Sequence, residues 1–74
     1  MPRLPRVSGP QAVAAFERVG FEVRRRRGSH IVMVKSGFPE TLSVPDHREL
    51  RPGTLRALIR KAGLSVEEFL ALLR

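Results

Sequence analysis

Four consecutive arginines, a glycine and a histidine lie close together in the sequence, in the segment Arg24-Arg25-Arg26-Arg27-Gly28-Ser29-His30. Arginine forks match the oxygens of phosphate groups, and histidine exchanges protons near neutrality because its unperturbed pKa is about 6.5. This combination suits cleavage of RNA, with His30 as the catalytic acid or base. The same composition also fits a basic hairpin that only contacts nucleic acid, with His30 as a solvated residue at a strand end.

The neighbours of His30 have candidate roles of their own. Gly28 lacks a Cβ atom, so it permits a sharp turn and a close approach of phosphate to the backbone. Arg26 or Arg27 is a candidate for stabilising the negative charge that develops at phosphorus. Ser29 is a candidate for a hydrogen bond to phosphate or for orienting His30, although a serine at a strand end usually does neither. A nucleophilic role for Ser29 is not expected, because no adjacent Asp or Glu completes a triad with His30.

The second histidine, His47, follows Pro45 and Asp46 and is a second candidate acid or base. Histidine after Pro-Asp is also common in turns that have no catalytic role. Two histidines and Asp46 fall short of a convincing set of metal ligands. We therefore expect no metal and no cofactor.

The charge of the chain predicts a polyanionic partner. Fourteen Lys and Arg against seven Asp and Glu give a formal net charge of +7, and twelve of the fourteen are Arg. Because Arg binds phosphate in a planar fork and stacks on bases, this bias favours RNA, although codon usage can also enrich arginine. Without cysteine, disulfides and thiolate metal sites are excluded, and nothing calls for an oxidising compartment.

The length of 74 residues predicts a single domain over residues 1–74, with residues 1–7 flexible. The basic start is not followed by an apolar signal segment, and no stretch approaches the roughly 20 apolar residues of a membrane span. No segment combines a cationic face with a broad aromatic one, as membrane-surface helices do. We expect a soluble, cytoplasmic protein without a membrane partner.

Hydrophobic spacing predicts six elements in the order α-β-β-β-α-α. Apolar residues recur at helical spacing in the first segment and in the last two. In the three segments between them, apolar residues alternate with polar ones or form a short β-branched run. The predicted elements are helices over 9–19 and 52–62, a short last helix from Ser65, and strands over 21–27, 31–34 and 41–44. Three consecutive strands with short links make an antiparallel meander with 31–34 as its central strand.

Local signals fix the ends and faces of these elements. Ser8 with Gln11, and Ser65 with Glu68, have the spacing of capping boxes, and Gly20 suits a left-handed helix end. Phe21 and Val23 are predicted to face one side of the first strand, and Glu22 and Arg24 the other. The buried stripe of the second helix is predicted to consist of Leu55, Leu58, Ile59 and Ala62.

The predicted topology also bears on which candidates lie near one another. Consecutive turns of a meander alternate ends, so Gly28 and the strand exit at Pro45 share one end, and a His30–His47 pair is geometrically possible. At the start of the second helix, the free N–H groups around residues 53–54, flanked by Arg51 and Arg56, form a candidate phosphate site. The alternative is an ordinary solvated helix start.

From Ser8 onward the chain resembles the HicA-type, or YcfA-like, toxins of bacterial toxin–antitoxin pairs. No single motif is specific, but the set occurs in the right order and at the right distances. The matching motifs are Ser8-Gly9, Gly20-Phe21, Gly28-Ser29-His30, Ser43-Val44-Pro45 with His47, Gly53-Thr54-Leu55-Arg56 and Lys61-Ala62-Gly63-Leu64-Ser65.

This resemblance implies an α+β, double-stranded-RNA-binding-domain-like fold, in which helices pack on one face of a three-stranded antiparallel sheet. It also implies a metal-free endoribonuclease that cleaves mRNA independently of the ribosome. The family's functional histidine maps onto His30. A HicB-type antitoxin is the implied partner, and a higher-order complex with it is one expected form of assembly. Many relatives carry a polar residue or histidine directly after the functional histidine, whereas this chain has Ile31.

Two alternatives remain beside the toxin. One is a non-catalytic RNA-binding module of the same fold, and the other is a small ribosome-associated accessory protein. The Gly-Ser-His motif favours the nuclease, because a pure RNA binder needs arginines but no histidine at the turn.

Overall fold

The computed structural model describes residues 3–73, and in this part of the chain it has three helices and three strands. In chain order they are α1 (Gly9–Glu17), β1 (Glu22–Arg27), β2 (His30–Val34), β3 (Leu42–Pro45), α2 (Pro52–Lys61) and α3 (Val66–Leu72). The strands form one antiparallel sheet with β2 between β1 and β3. The predicted α+β class and element order are confirmed, and they are consistent with a double-stranded-RNA-binding-domain-like fold.

The helices cover one face of the sheet. Side chains that alternate along β2 and β3 are buried there, beneath apolar residues of all three helices. This core includes Ile31, Met33, Leu42 and Val44 from the sheet and Phe16, Leu55, Leu58, Ile59, Ala62 and Phe69 from the helices. The opposite face, which we call the open face, carries the half-buried Val32 and the exposed Ser43.

The predicted helix signals operate as expected. The Ser8 hydroxyl accepts a hydrogen bond from the Gln11 N–H at 3.1 Å, and the Gln11 side chain accepts one from the Ser8 N–H at 2.8 Å. Ser65 and Glu68 form the same capping box, with distances of 3.0 and 2.8 Å. These bonds satisfy N–H groups that the helix itself leaves without partners.

Helix α1 ends at Glu17, two residues before the predicted end at Val19. The chain turns over the next residues because Gly20 adopts a φ of +103°. Phe21 then folds back onto the helix, and its ring centroid lies 6.1 Å from that of Phe16. The predicted roles of Gly20 and Phe21 are confirmed.

Strand β1 departs from the predicted alternation. Its six residues are all exposed, and Val23, which we expected on a covered face with Phe21, is 45% exposed. The pairing with β2 is regular up to Val23 and resumes at Arg25, so Arg24 is the extra residue of a β-bulge. Val23 pairs with the buried Met33 and so lies on the predicted side of the strand, but it remains exposed because β1 is an edge strand. The predicted alternation fails only beyond Val23, where the bulge changes the faces of the residues that follow.

The N-terminal segment is more closely packed than expected at its end. Val7 is buried, and its carbonyl oxygen accepts a hydrogen bond from the Leu50 N–H at 2.7 Å. The flexibility predicted for residues 1–7 therefore does not fit Val7, while Met1 and Pro2 lie outside the described residues. Among residues 3–73, no helix is long and apolar enough to cross a membrane.

Candidate functional site

A shallow cavity of about 440 Å³ lies on the open face of the sheet. All three strands contribute to its lining, which consists of Arg25, Arg27, His30, Val32, Thr41 and Ser43. His30 is exposed, and its Cα atom is paired with that of Arg27 on one side and with that of Pro45 on the other. The cavity therefore brings an accessible imidazole together with two guanidinium groups and two hydroxyls.

The β-bulge decides which arginines reach this cavity. Residues that pair directly across an antiparallel sheet lie on the same face. Arg25 pairs with Val32 and Arg27 with His30, so both arginines belong to the open face. Without the extra residue, simple alternation from Val23 would have placed Arg25 and Arg27 on the covered face.

Arg26 lies on the other side of the strand. It pairs with the buried Ile31, and its Nη1 donates a hydrogen bond to Oδ2 of Asp46 at 2.8 Å. The Asp46 side chain is only 31% exposed, which makes this ion pair less screened than one in free solvent. Arg26 is therefore separated from His30 and engaged by a carboxylate, while Arg24 lies in the bulge.

Gly28 and Ser29 form a two-residue loop between the paired residues Arg27 and His30. Gly28 has a φ of +60°, and no residue other than glycine has a positive φ in the described chain. Glycine at the first of two central positions is characteristic of a type II′ hairpin turn. A Cβ atom on Gly28 would meet nothing within 4 Å, so glycine is required here by the backbone angle rather than by space.

The predicted proximity of the Gly28 turn and the exit of β3 is confirmed. The Asp46 N–H donates a hydrogen bond to the Ser29 carbonyl at 2.7 Å. His47, one residue further, is exposed, and its carbonyl accepts a hydrogen bond from the Gly9 N–H at 2.8 Å. His47 is not among the lining residues of the cavity, so the structure does not bring it together with His30 there.

Arg51 and Arg56 belong to the helical layer. Arg51 is the exposed N-cap residue of α2 and makes no side-chain capping bond. Arg56 is half-buried and lines a second open cavity of about 370 Å³ with Arg60 and the start of α3. Because the helices cover the opposite face of the sheet, these two arginines are separated from the cavity that contains His30.

Thr41 and Ser43 were not identified as site residues from the sequence, and Asp46 was considered only as part of an insufficient set of metal ligands. Thr41 and Ser43 alternate with the buried Leu42 and Val44, a pattern that places them on the open face, but their proximity to His30 depends on the register of β3. The ion pair of Asp46 with Arg26 joins residues twenty positions apart, and no local signal indicates it. Within residues 3–73, no three His, Cys, Asp or Glu side chains come together to hold a metal ion.

Comparison with protein families identifies a relationship that covers most of the fold. The family model described as the HicA toxin of bacterial toxin–antitoxin systems matches residues 9–64, about three quarters of the chain. The matched range begins with α1 and ends three residues after α2. A search of curated proteins finds no match. The matched region includes the hairpin, the Gly-Ser-His turn and the loop of Asp46. The chain belongs to the HicA toxin family of bacterial toxin–antitoxin systems.

Proposed function

We propose that this toxin is a metal-independent endoribonuclease that cleaves mRNA in the cytoplasm, with His30 as its general acid or base. The observation that carries this proposal is the exposed His30 imidazole in one open cavity with Arg25 and Arg27. Membership in a toxin family supports a destructive activity, and the net charge of +7 supports a polyanionic target.

The proposed chemistry needs few groups. When the 2′-hydroxyl of a ribose attacks the adjacent phosphorus, its proton leaves, negative charge builds up on the phosphorane oxygens, and the departing 5′-oxygen gains a proton. His30 supplies one of these two proton transfers, which contributes roughly 10²- to 10⁴-fold to the rate. The other transfer is left to water or to His47, the second candidate acid or base, which is exposed in the connection after β3.

Arg27 and Arg25 are the residues that we assign to the phosphorane charge. Each presents a guanidinium on the open face, and Arg27 is the direct cross-strand partner of His30. Arg26, the other candidate that the sequence offered, is engaged by Asp46 on the far side of the strand. The hydroxyls of Thr41 and Ser43 are suitable donors to phosphate or ribose at the edge of the cavity.

RNA binding extends beyond the reacting phosphate in this proposal. We assign further contacts with RNA to Arg24, in the bulge, and to the backbone of Gly28 and Ser29, at the tip of the hairpin, because all three residues are exposed near His30 in the chain. Arg51 and Arg56 are assigned to more distant phosphates, because they belong to the helical layer. Contacts of this kind set affinity and orientation and carry little base specificity.

The cognate antitoxin that membership implies is proposed to be a HicB-type protein with an acidic surface. Its surface would cover the turn of Gly28, Ser29 and His30, since the arginines around this turn favour rapid capture by a negative patch. Mixed with the toxin at equal concentration, it should block cleavage of RNA. A stable complex that leaves cleavage unchanged would place its binding surface elsewhere.

The decisive experiment is incubation of the purified protein with RNA in EDTA. We expect cleavage of RNA, and no cleavage of the same sequence with 2′-deoxyribose, because the proposed nucleophile is the 2′-hydroxyl. His30→Ala protein purified in parallel controls for contaminating nucleases. RNA that is bound but left intact would favour the non-catalytic RNA-binding module instead.

A further inference from the structure

We propose that Asp46 is a positioning residue of the candidate site, because it holds the hairpin tip that carries His30 and Arg27. The carboxylate of Asp46 at the same time lowers the affinity for RNA. In its effect on cleavage this inference rests on the proposed function. Asp46 touches none of the reacting atoms, so its influence is exerted through its two contacts with the hairpin.

Asp46 binds the β1–β2 hairpin at two points, at the end of β1 and within the turn. Its carboxylate accepts a hydrogen bond from Nη1 of Arg26 at 2.8 Å, which fixes the end of β1. Its backbone N–H donates to the carbonyl of Ser29 at 2.7 Å, directly before His30. Asp46 therefore joins the strand that enters the turn to the last residue of the turn.

The segment that carries Asp46 is itself anchored to α1. The carbonyl of His47 accepts a hydrogen bond from the Gly9 N–H at 2.8 Å. Gly9 is buried, and a Cβ atom at this position would clash with the carbonyl oxygen of Pro45, which shows how closely the two segments pack. Asp46 thus connects the hairpin tip to the helical layer.

The hairpin tip needs such a connection because apolar packing does not hold it. All residues from 22 to 30 are exposed, and Gly28 has open space around it. An exposed hairpin end with few apolar contacts opens more readily than the core of a domain. Since a displacement of about 1 Å at a reacting group can cost up to 10²-fold in rate, a loose hairpin tip would slow a reaction that depends on Arg27 and His30.

The charge of Asp46 acts in the opposite direction on binding. Its carboxylate repels phosphate and offsets the charge of Arg26 close to the proposed RNA path. Removal of this carboxylate should therefore strengthen RNA binding while it weakens cleavage of the bound RNA. A residue that only maintained the fold would instead lower stability, affinity and cleavage together.

The test compares Asp46→Ala and Asp46→Asn with Glu49→Gln. Glu49 is in the same connection and its replacement changes the net charge equally, but its only described ion pair is a long one of 3.9 Å with the exposed Arg6. For each variant we would measure single-turnover cleavage at saturating protein, affinity for 2′-O-methyl RNA that cannot be cleaved, melting temperature, and amide hydrogen exchange at residues 28–30.

For Asp46→Ala we expect cleavage of bound RNA to fall about tenfold, affinity to rise, and exchange at the turn to accelerate. Asp46→Asn retains an oxygen that can accept from Arg26, so it should recover part of the rate. Glu49→Gln should bind RNA more tightly while cleaving bound RNA at the unchanged rate.

Two outcomes separate this inference from the proposed function. If the unmodified protein cleaves RNA and Asp46→Ala matches Glu49→Gln in rate and in amide exchange, Asp46 does not position the turn. If the unmodified protein leaves RNA intact, the proposed nuclease function fails, and unchanged exchange at residues 28–30 in Asp46→Ala would then overturn the positioning role by itself.

Discussion

The two sides of the β1–β2 hairpin contain similar residues in very different surroundings. On the open side, Arg25, Arg27 and His30 line an open cavity. On the helical side, Arg26 is paired with Asp46 and Ile31 is buried in the core. Adjacent residues of the same type are thus separated by the pleat of the sheet. Charge density along the sequence does not tell which arginine is available to a ligand.

This contrast shows how a very small domain can separate function from stability. Neighbours in the sequence alternate between a face that builds the core and a face that has no packing role. Polar and charged residues on the open face can serve in binding or catalysis, because their removal leaves the core intact. The predictions below test whether the two sides are as independent as this view requires.

The largest effect is expected for His30→Ala. If its imidazole acts as a general acid or base, cleavage should fall roughly 10²- to 10⁴-fold. RNA affinity and melting temperature should barely change, because His30 is exposed beside several arginines. Rates, binding and thermal unfolding of the same protein preparation check this. Full cleavage by His30→Ala would falsify the catalytic assignment.

For Ile31, the residue after His30, we expect the opposite pattern, a loss of stability without a loss of activity. Ile31 is 5% exposed, and Ile31→Ala should reduce the free energy of unfolding by about 2–5 kcal/mol through lost burial and a cavity. The milder Ile31→Val should lower the melting temperature by about 4–8 °C, for a loss of about 1 kcal/mol, while cleavage below that temperature stays unchanged. Loss of activity in folded Ile31→Val would show that the two sides are coupled.

Arg27→Ala and Arg26→Ala compare the same substitution on the two sides. Removal of a group that stabilises developing charge typically costs 10²-fold or more, so we expect roughly 10²-fold slower cleavage for Arg27→Ala. Arg26→Ala removes only the contact with Asp46 and should cost about tenfold through misplacement of the turn. Lysine at position 27 should restore binding better than rate, since it lacks the planar fork. Equal losses in the two alanine variants would contradict the separation of the arginines.

The smallest effect is expected when the run of four arginines is shortened to three. Deletion of one arginine removes the bulge. The three arginines that remain should then pair with Val32, Ile31 and His30, so each of these residues keeps an arginine as its partner. Cleavage should remain within a few-fold, and the slope of log affinity against log salt should fall by about 0.7, the contribution of one phosphate contact in a single strand. A chain that loses most of its activity would show that the bulge itself, rather than the register beyond it, shapes the site.

Local sequence signals determined most of the secondary structure. The capping boxes at Ser8 and Ser65, the left-handed Gly20 and the apolar stripe of α2 were predicted correctly because each depends on residues within one or two turns of chain. The meander order followed from three short strands with short links. Together with the motifs of the toxin family, these signals were sufficient to predict the fold and the family.

The faces of the β1 residues beyond Val23 were decided only by the tertiary structure. Alternation from Phe21 placed Val23 on a covered face and Arg24 opposite it, and nothing in a run of identical arginines marks a bulge. The position of the extra residue depends on how the edge strand pairs with β2, and this pairing selects Arg25 and Arg27 for the open face.

The site around His30 was determined partly by the sequence and partly by the tertiary structure. The sequence alone identified the histidine, the arginines and the glycine turn, because their chemistry is a property of the residue types. The presence of Thr41 and Ser43 beside His30, the engagement of Arg26 by Asp46 and the separation of His47 from the cavity depend on strand register and on the path of the connection after β3. These are relations between distant segments, and they arise only when the core fixes those segments relative to one another.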